Sequence, residues 1–317
     1  MILTLTLNPA IDLTYTLPAL TPGTSHRVPR AQQRAGGKGV NVARVLTEQG
    51  YRTRAMAPVG GTTGAQFRAD LDRAGIDHQL LPVQEPTRRT ITLVTPDHTT
   101  PLNEAGQSPT AAELDQLLQA TATALAGARV LVCSGSVPAG APADLIPRVI
   151  ALARAAAVPV IVDTSGPALL AAVEAGADVL KPNQDELNEI VGPAEPPVAA
   201  RSLAERSGAA VFASLGAGGM LAATATGPIW HARLPHPLSG NPTGAGDAAV
   251  AAIAVGLAQH GSALEGATLP QTLCTATAWS AAAVLTPTAG SIADPAPLAE
   301  QIIIDRVGEP ANPEESR

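Results

Sequence analysis

The chain has 317 residues, of which 45% are hydrophobic, and its formal net charge is −7. This length and composition predict a soluble globular protein with a substantial buried core. The negative charge and the lack of a basic run argue against nucleic acid or an anionic membrane surface as a partner, and an aromatic content of 2% argues against base-stacking platforms.

The two cysteines, Cys133 and Cys274, have neither metal-ligand spacing nor the density of a disulfide scaffold. We therefore predict a reducing, cytoplasmic location. Residues 1–8 lack a basic leader segment and continue into an alternating strand pattern. No apolar stretch reaches the ~20 residues that a membrane span needs. We expect no secretory signal and no membrane partner.

In chain order, apolar runs of strand length occur at residues 2–7, 130–133, 158–162, 179–180 and 210–215. Helical patterns lie between most of them, at residues 40–49, 65–74, 111–126, 143–157 and 197–207. Strands that alternate with helices predict right-handed crossovers and a mostly parallel sheet covered on both faces. The predicted fold class is α/β, in a single domain over residues 1–306.

Two stretches interrupt this alternation, at residues 13–34 and 78–103, where Thr-rich strand patterns are separated by Pro and Gly. Their polar alternation suits an antiparallel sheet with one exposed face, which we interpret as a small lid. The exposed strand edges of this lid lead to the hypothesis that two copies pair as a homodimer. Beyond residue 247 we predict helix to about residue 285, then irregular structure and a frayed tail at residues 307–317.

The strongest chemical signal is Gly-Asn-Pro-Thr-Gly-Ala-Gly-Asp at residues 240–247, which leads into a helical run. Glycines before a helix let backbone N–H groups converge on an anion, and the helix N-terminus adds positive charge. This motif predicts a phosphate cradle, with Asp247 placed to take a proton from an attacking hydroxyl. A tight turn with Asp247 as a helix cap is the structural alternative. A dinucleotide-binding loop fits poorly, because no strand pattern precedes the glycines.

The only two lysines, Lys38 and Lys181, both lie in motifs rich in turn residues, whereas the other 18 basic residues are arginines. An ammonium group is a compact point charge that a guanidinium does not replace at a phosphate site. Chance placement of two residues is the alternative. Lys38 belongs to Gly-Gly-Lys-Gly-Val-Asn at residues 36–41, where the glycines allow close approach of a ligand and Asn41 can bind a sugar hydroxyl.

Two further motifs follow strands. Asp12 comes after the first strand, at a position that fits either a polyol contact or a simple turn. The sequence Asn-Gln-Asp-Glu at residues 183–186 opens a helix. Its amide and carboxylates suit water around Mg²⁺ beside nucleotide phosphates, and they suit an N-cap with an acidic first turn equally well.

Seven ordered motifs together resemble the ribokinase-like sugar kinases of the PfkB family. They lie at residues 6–12, 36–44, 58–61, 134–138, 181–187, 214–216 and 244–247. The resemblance covers nearly the whole chain. It is strongest to the branch that contains 1-phosphofructokinase, 6-phosphofructokinase-2 and tagatose-6-phosphate kinase. It implies a three-layer α/β/α fold with a β-sheet lid, and ATP as the phosphoryl donor.

The resemblance also implies roles for particular residues. The catalytic base is Asp247, and the anion hole is formed by Thr243, Gly244, Ala245 and Gly246. The implied sugar contacts are Asp12, Gly37, Lys38, Asn41 and Ser136. The implied ATP contacts are Lys181, Asn183, Ser214, Gly216, Gly219 and Thr243. Asn183 and Glu186 would help to place Mg²⁺, and Arg88, with Arg27 as a second contact, would hold the phosphate that the sugar already carries.

The resemblance implies a phosphorylated ketohexose as the substrate, with fructose 1-phosphate as the first expectation. The sequence departs from the branch at Thr243, where Val is common. Residues 100–106 also lie closer to tagatose-6-phosphate kinases than to the Asn-Phe-Pro-Gly pattern of many 1-phosphofructokinases. Tagatose 6-phosphate and fructose 6-phosphate are therefore alternative substrates. A catalytically silent sugar-phosphate sensor and, more distantly, a dehydrogenase are the alternatives from other classes.

Overall fold

The structure of the protein, a computed structural model, describes residues 1–96, 98–261 and 264–307. The strands in these ranges are β1 (Ile2–Leu5), β2 (Ala10–Thr16), β3 (Gln32–Gly36), β4 (Thr53–Val59), β5 (His78–Pro82), β6 (Arg88–Val94), β7 (Thr99–Asn103), β8 (Val130–Ser134), β9 (Val160–Asp163), β10 (Val179–Leu180), β11 (Ala210–Ser214), β12 (Met220–Ala223), β13 (Trp230–Arg233) and β14 (Ile303–Arg306).

The helices are α1 (Lys38–Glu48), α2 (Gly61–Arg73), α3 (Ala111–Leu125), α4 (Leu145–Ala155), α5 (Gly166–Ala175), α6 (Gln184–Val191), α7 (Pro196–Ser207), α8 (Ala245–His260), α9 (Thr268–Val284) and α10 (Ala296–Ala299). The predicted helices agree with α1, α2, α3, α4 and α7, and differ from them mainly at their ends. No helix in the described ranges combines the length and apolarity required to cross a membrane.

The main sheet has the strand order β14-β13-β12-β11-β10-β9-β8-β1-β4-β5. All pairings from β5 through β11 are parallel, whereas β12, β13 and β14 extend the sheet with antiparallel pairings. Neighbouring parallel strands require crossover connections, which are usually helices. The alternation of strand and helix patterns in the sequence predicts such connections. The predicted mostly parallel α/β fold is confirmed.

Side chains alternate between two hydrophobic cores on opposite faces of the main sheet. In β1, Leu3 and Leu5 pack with residues of α3, α4, α5, α6 and α7, whereas Ile2 packs with α1, α8 and α9. Small residues let α8 and α9 approach closely, since a Cβ added at Gly256 would lie 2.5 Å from Oγ1 of Thr272. The three layers are therefore filled mainly by small aliphatic side chains, with Phe67, Phe212 and Trp279 as the buried aromatic residues.

A second sheet, the lid, has the order β3-β2-β6-β7. Its outer pairs are antiparallel, but the central pair β2 and β6 is parallel, in contrast to the fully antiparallel lid that the sequence predicts. The assignment of residues 78–82 to the lid is also wrong, because β5 pairs with β4 in the main sheet. The lid begins earlier than predicted, at Ala10, and its first hairpin returns to Gly36 at the start of α1.

The chain after α9 is more regular than the sequence predicts. Instead of irregular structure it forms α10 and then β14, which pairs with β13 at the edge of the main sheet. Strand β14 has only four residues, and its pairing depends on an edge made by distant residues. The predicted frayed tail lies outside the described residues, except for Val307.

Candidate active site

The predicted phosphate cradle forms the start of α8. Gly244 is the N-cap, with φ 87° and ψ −4°, a left-handed conformation that suits glycine. Because the first N–H groups of a helix have no helical acceptor, those of Gly246 and Asp247 remain at the helix end, where the helix dipole is positive. Gly244, and not Asp247, holds the cap position, so the interpretation of Asp247 as an N-cap is wrong.

Asp247 lies in the first turn of α8 with only 6% of its surface exposed. Its Oδ2 accepts a hydrogen bond of 2.8 Å from Nδ2 of Asn41. Burial raises the pKa of Asp247 to about 7, against the opposing effect of Lys38 and with a further rise caused by Asp163. A carboxyl group that titrates near neutral pH is suited to accept a proton and release it again.

Both lysines converge on Asp163, a residue that the sequence analysis did not select. Nζ of Lys38 and Nζ of Lys181 each lie 3.3 Å from Oδ1 of Asp163. The other carboxylate oxygen accepts a hydrogen bond of 2.8 Å from the Ser134 hydroxyl. Because both lysines contact the same carboxylate oxygen, their placement has a structural reason and is not explained by chance.

The charges of this cluster stabilise one another. Burial by itself lowers the pKa of Lys38, but the carboxylates of Asp163 and Asp247 outweigh it and, with Glu186, raise that pKa to about 12. Burial by itself raises the pKa of Asp163, but Lys181 and Lys38 hold it below its usual range. Lys38 and Asp163 are therefore both charged throughout the neutral pH range.

The predicted sugar contacts Asp12, Gly37 and Asn41 lie where the lid meets α1. The Asp12 carboxylate covers Gly36, because a Cβ at Gly36 would lie 2.0 Å from Oδ2 of Asp12. Gly37 is the N-cap of α1, with φ 104°, and a Cβ there would lie 2.8 Å from Cγ2 of Thr6. The two glycines therefore permit close packing that alanine would prevent. Burial raises the pKa of Asp12 to about 6, and Arg88 limits the rise.

Ser136 and Arg88 are joined to the same region through Asn8. Nδ2 of Asn8 donates to Oγ of Ser136 at 3.0 Å, and Nε of Arg88 donates to the Asn8 carbonyl at 3.3 Å. Nη1 of Arg88 also donates to the Glu104 carbonyl at 2.9 Å. The guanidinium of Arg88 is also close enough to Asp12 to lower the pKa of that carboxyl group.

Arg27 is not brought to this cluster. It lies exposed in the loop between β2 and β3, which begins at the end of β2 remote from the start of α1. Among the described residues, no hydrogen bond or ion pair joins Arg27 to another predicted site residue. Its role as a second phosphate contact stays a prediction.

A cavity of about 680 Å³ lies between the turn after β11 and the start of α8. Its lining includes four of the predicted ATP contacts, namely Asn183, Ser214, Gly216 and Gly219. It also includes Ala245 and Gly246, so the cavity extends from the β11–β12 turn to the phosphate cradle. Lys181 approaches the same helix end, because a Cβ at Gly246 would lie 3.5 Å from its Nζ. Thr243 is exposed in the loop before α8.

Asn183 and Glu186 form a capping box at the start of α6. Oδ1 of Asn183 accepts from the Glu186 N–H at 2.8 Å, and Oε2 of Glu186 accepts from the Asn183 N–H at 2.8 Å. The described residues contain no cluster of three or more His, Cys, Asp or Glu that could hold a metal ion. Mg²⁺ commonly needs only one or two carboxylates, with water and substrate phosphates as the other ligands. The oxygen donors of this capping box, beside the cavity, fit such an ion.

Lys38→Arg separates the need for an ammonium group from the need for positive charge. A guanidinium cannot share one oxygen of Asp163 with Lys181 in the same geometry, because it is larger and planar. We expect kcat/KM with the best sugar to fall about tenfold or more. Lys38→Met is the control for loss of charge. Equal activity of Lys38→Arg and the unmodified protein would contradict the requirement for a compact charge.

The three-layer α/β arrangement, the lid and a carboxylate at the glycine-rich start of a helix define the ribokinase-like fold. The model of the pfkB family of carbohydrate kinases matches residues 5–296. The chain belongs to this family, and it is a carbohydrate kinase. The family predicted from the sequence motifs is confirmed.

Named relatives support this assignment. The chain is 37% identical over 282 residues to ATP-dependent 6-phosphofructokinase isozyme 2 of Mycobacterium tuberculosis. The aligned region covers 83% of this chain and 80% of the relative. The structure of Escherichia coli phosphofructokinase-2 in complex with potassium is similar, with a TM-score of 0.87, 27% identity and coverage of 94% and 98%. A possible 1-phosphofructokinase of Thermotoga maritima gives a TM-score of 0.86, 25% identity and coverage of 96% and 99%.

The signal that would have revealed Asp163 is its position after a buried strand. The apolar run at residues 158–162 ends one residue before it, just as the first apolar run ends shortly before Asp12. Because ligands bind at the carboxyl ends of strands in open α/β sheets, the rule that selected Asp12 also applies to Asp163.

Proposed function

We propose that the protein is an ATP-dependent kinase of a phosphorylated ketohexose. The observation that carries the proposal is the position of Asp247. It directly follows Gly246, which lines the cavity that suits ATP, it is hydrogen-bonded to Asn41 on the sugar side, and its pKa is about 7. A buried base at the junction of two binding regions is the arrangement that transfer between two bound substrates requires.

In the proposed reaction, Asp247 accepts the proton of a sugar hydroxyl while the hydroxyl oxygen forms a bond to the γ-phosphorus of ATP. The bond from this phosphorus to the bridging oxygen breaks, and ADP leaves with that electron pair. The N–H groups at the start of α8, together with Lys38 and Lys181, stabilise charge on the transferred group. Mg²⁺ held through water by Asn183 and Glu186 would supply further positive charge beside the phosphates.

Closure of the lid over the sugar would exclude water, which otherwise competes with the sugar for the γ-phosphoryl group. The lid strand β2 carries Asp12 and the lid strand β6 carries Arg88. We infer that these two side chains hold the sugar hydroxyls and the existing phosphate, respectively. A sugar bound to both, with its reacting hydroxyl at Asp247, would therefore link the lid to the start of α8.

Fructose 1-phosphate is the first candidate substrate, with its C6 hydroxyl directed to Asp247. Fructose 6-phosphate is the second, with its C1 hydroxyl in that place, and the name of the 37% identical relative favours it. Either substrate gives fructose 1,6-bisphosphate. The candidates therefore differ in the orientation of the sugar between Arg88 and Asp247, and not in the chemistry.

The test is ADP release with Mg-ATP and a panel of fructose 1-phosphate, fructose 6-phosphate, tagatose 6-phosphate and unphosphorylated fructose. A reaction without sugar measures background ATP hydrolysis. We expect kcat/KM to be highest for one ketohexose monophosphate and far lower for fructose, which lacks a phosphate for Arg88. A preference for unphosphorylated fructose would contradict the substrate class, and inertness toward all four would favour the silent-sensor alternative.

We also propose a cytoplasmic homodimer that pairs through the lid. All five residues of the edge strand β7 are exposed, and Leu102 has 52% of its surface accessible. An open strand edge with an exposed apolar side chain is suited to pairing with a second copy. Sedimentation at micromolar concentration is expected to give the mass of a dimer, and a monomer mass would contradict it.

A further inference from the structure

The cluster around Asp163 joins four parts of the chain at the carboxyl edge of the main sheet. Asp163 ends β9, Ser134 ends the neighbouring β8, and the two are partners in the strand register. Lys181 follows β10, and its N–H donates to the Val162 carbonyl at 3.2 Å. Lys38 comes from the start of α1 beneath the lid. One carboxylate thus contacts side chains from both binding regions.

The two ammonium groups contact different parts of the site. Nζ of Lys181 lies beside Gly246, which lines the proposed ATP cavity. Lys38 is in the same turn as Asn41, whose side chain contacts Asp247. Since each Nζ is 3.3 Å from the same oxygen, their separation is at most twice that distance.

Without a counter-ion, two ammonium groups this close would repel each other and the positive end of α8. The Lys181 side chain is only 4% exposed, whereas the Lys38 side chain is 41% exposed, so water screens this repulsion only from the side of Lys38. The Asp163 carboxylate offsets part of this charge, so that both ammonium groups can remain beside the start of α8. The Ser134 hydroxyl fixes the rotation of the carboxylate and hence the position of both lysines.

We propose that Asp163 is a positioning residue, which holds the ammonium groups of Lys38 and Lys181 together beside the start of α8, where the phosphoryl group is transferred. The effect of Asp163 on the reaction rate rests on the proposed kinase function. The position of the lysines is a property of the protein without substrate. The two parts can therefore be tested separately.

The first test uses Asp163→Asn and selective ¹³C,¹⁵N-lysine labelling. With only two lysines in the chain, the side-chain signals of Lys38 and Lys181 are the only ones expected. We expect Asp163→Asn to shift both signals. The matched control is Asp178→Asn, which makes the same chemical change at a residue that accepts from Val160 N–H, at the opposite end of β9. A shift of only one lysine signal, or of neither, would overturn the proposal whatever sugar the protein uses.

The second test is kinetic and uses the preferred sugar. We expect Asp163→Asn to lower kcat about 10- to 100-fold, since small displacements of positioning groups have effects of this size. It should also move the acid limb of kcat/KM to lower pH by about one unit. The reason is that the negative charge of Asp163 disfavours ionised Asp247, while released Lys38 and Lys181 would favour it. The hydrogen bond from Asn41 to the Asp247 carboxylate is not altered by this substitution.

Loss of rate at every pH with an unmoved acid limb would indicate a merely structural role and would overturn the proposal. If Asp163→Asn fails to fold, Ser134→Ala keeps all three charges and removes only the hydrogen bond to the carboxylate. We expect Ser134→Ala to lower kcat about tenfold. A rate within twofold of the unmodified protein would overturn the proposal. Inertness of the unmodified protein would refute the proposed function instead.

Discussion

Asp247→Asn is expected to lower kcat by about 10²- to 10⁴-fold, because an amide cannot take the proton that the attacking hydroxyl loses. ATP affinity should change little, since the walls of the cavity and the N–H groups at the start of α8 remain. The Asn side chain has the same shape, and its oxygen can still accept from Asn41. The measurement is steady-state ADP release with saturating sugar, together with ATP binding by calorimetry.

The same substitution should leave the fold at least as stable above neutral pH. The pKa of Asp247 in the folded protein is about 7, above its ordinary value of 3.8. Between these values the folded state binds more protons than the unfolded state, so this carboxyl group reduces stability as pH rises. Asp247→Asn removes that loss. Thermal unfolding at pH 8 should therefore give an unchanged or higher midpoint.

The control for Asp247→Asn is Asp115→Asn, on the exposed surface of α3, where the carboxylate contacts only Arg148 among the described ion pairs. We expect its kcat to be unchanged. A near-normal rate of Asp247→Asn would remove Asp247 from the role of base. A large loss of thermal stability in Asp247→Asn would instead show that the buried carboxylate supports the fold.

The unmodified protein should lose kcat/KM as pH falls through about 7, because Asp247 must be ionised to accept a proton. The substrate phosphate also titrates, so the profile is compared between variants with the same sugar. The limb assigned to Asp247 should be absent from the residual activity of Asp247→Asn. A limb at the same pH in both proteins would show that another group controls it.

Local signals explain which parts of the fold could be predicted. The central strands are continuous apolar runs because helices cover them on both faces, and the turn motifs place glycines where left-handed or crowded backbone requires them. Strands β4, β12, β13 and β14 were not predicted. Strand β4 lies within the parallel part of the main sheet, but Arg54 and Pro58 interrupt its apolar pattern. The other three have four residues each and are selected by pairing with a neighbour rather than by their own pattern.

The active site shows the same division. Asp247, Lys38 and Asn41 belong to motifs whose spacing already indicates a phosphate or sugar contact. The contact of Lys38 with Asp163 joins residues 125 positions apart, so no local pattern contains it. The position of Arg88 in the strand sequence gives no information about the carbonyl groups that it contacts. Such contacts follow from how β1, the lid and residues 104–106 come together.

Gly244→Ala is expected to lower kcat about 10²- to 10³-fold, comparable to loss of a donor that stabilises the transition state. Two effects combine at this position. The left-handed backbone of an alanine costs about 1–2 kcal/mol. The new Cβ would also lie 2.8 Å from Cα of Ala289 and 2.9 Å from its Cβ, too close for either residue to stay in place.

The loop that contains Ala289 is held on two sides. Nη1 of Arg34 donates to Oγ1 of Thr288 at 2.6 Å, and Oγ1 of Thr286 donates to the Ser291 carbonyl at 3.0 Å. The turn at Gly244 is therefore expected to move instead of the loop. That movement would redirect the N–H groups of Gly246 and Asp247 away from the phosphoryl group, with little change in the overall fold.

Gly208→Ala is the matched control for Gly244→Ala. Gly208 ends α7 with φ 72° and ψ 1°, and an added Cβ would meet nothing within 4 Å. Both variants should thus lose a similar amount of stability through the backbone, whereas only Gly244→Ala should lose kcat. Equal kcat in the two variants would show that the turn before α8 tolerates displacement. The N–H groups of α8 would then not be the donors on which phosphoryl transfer depends.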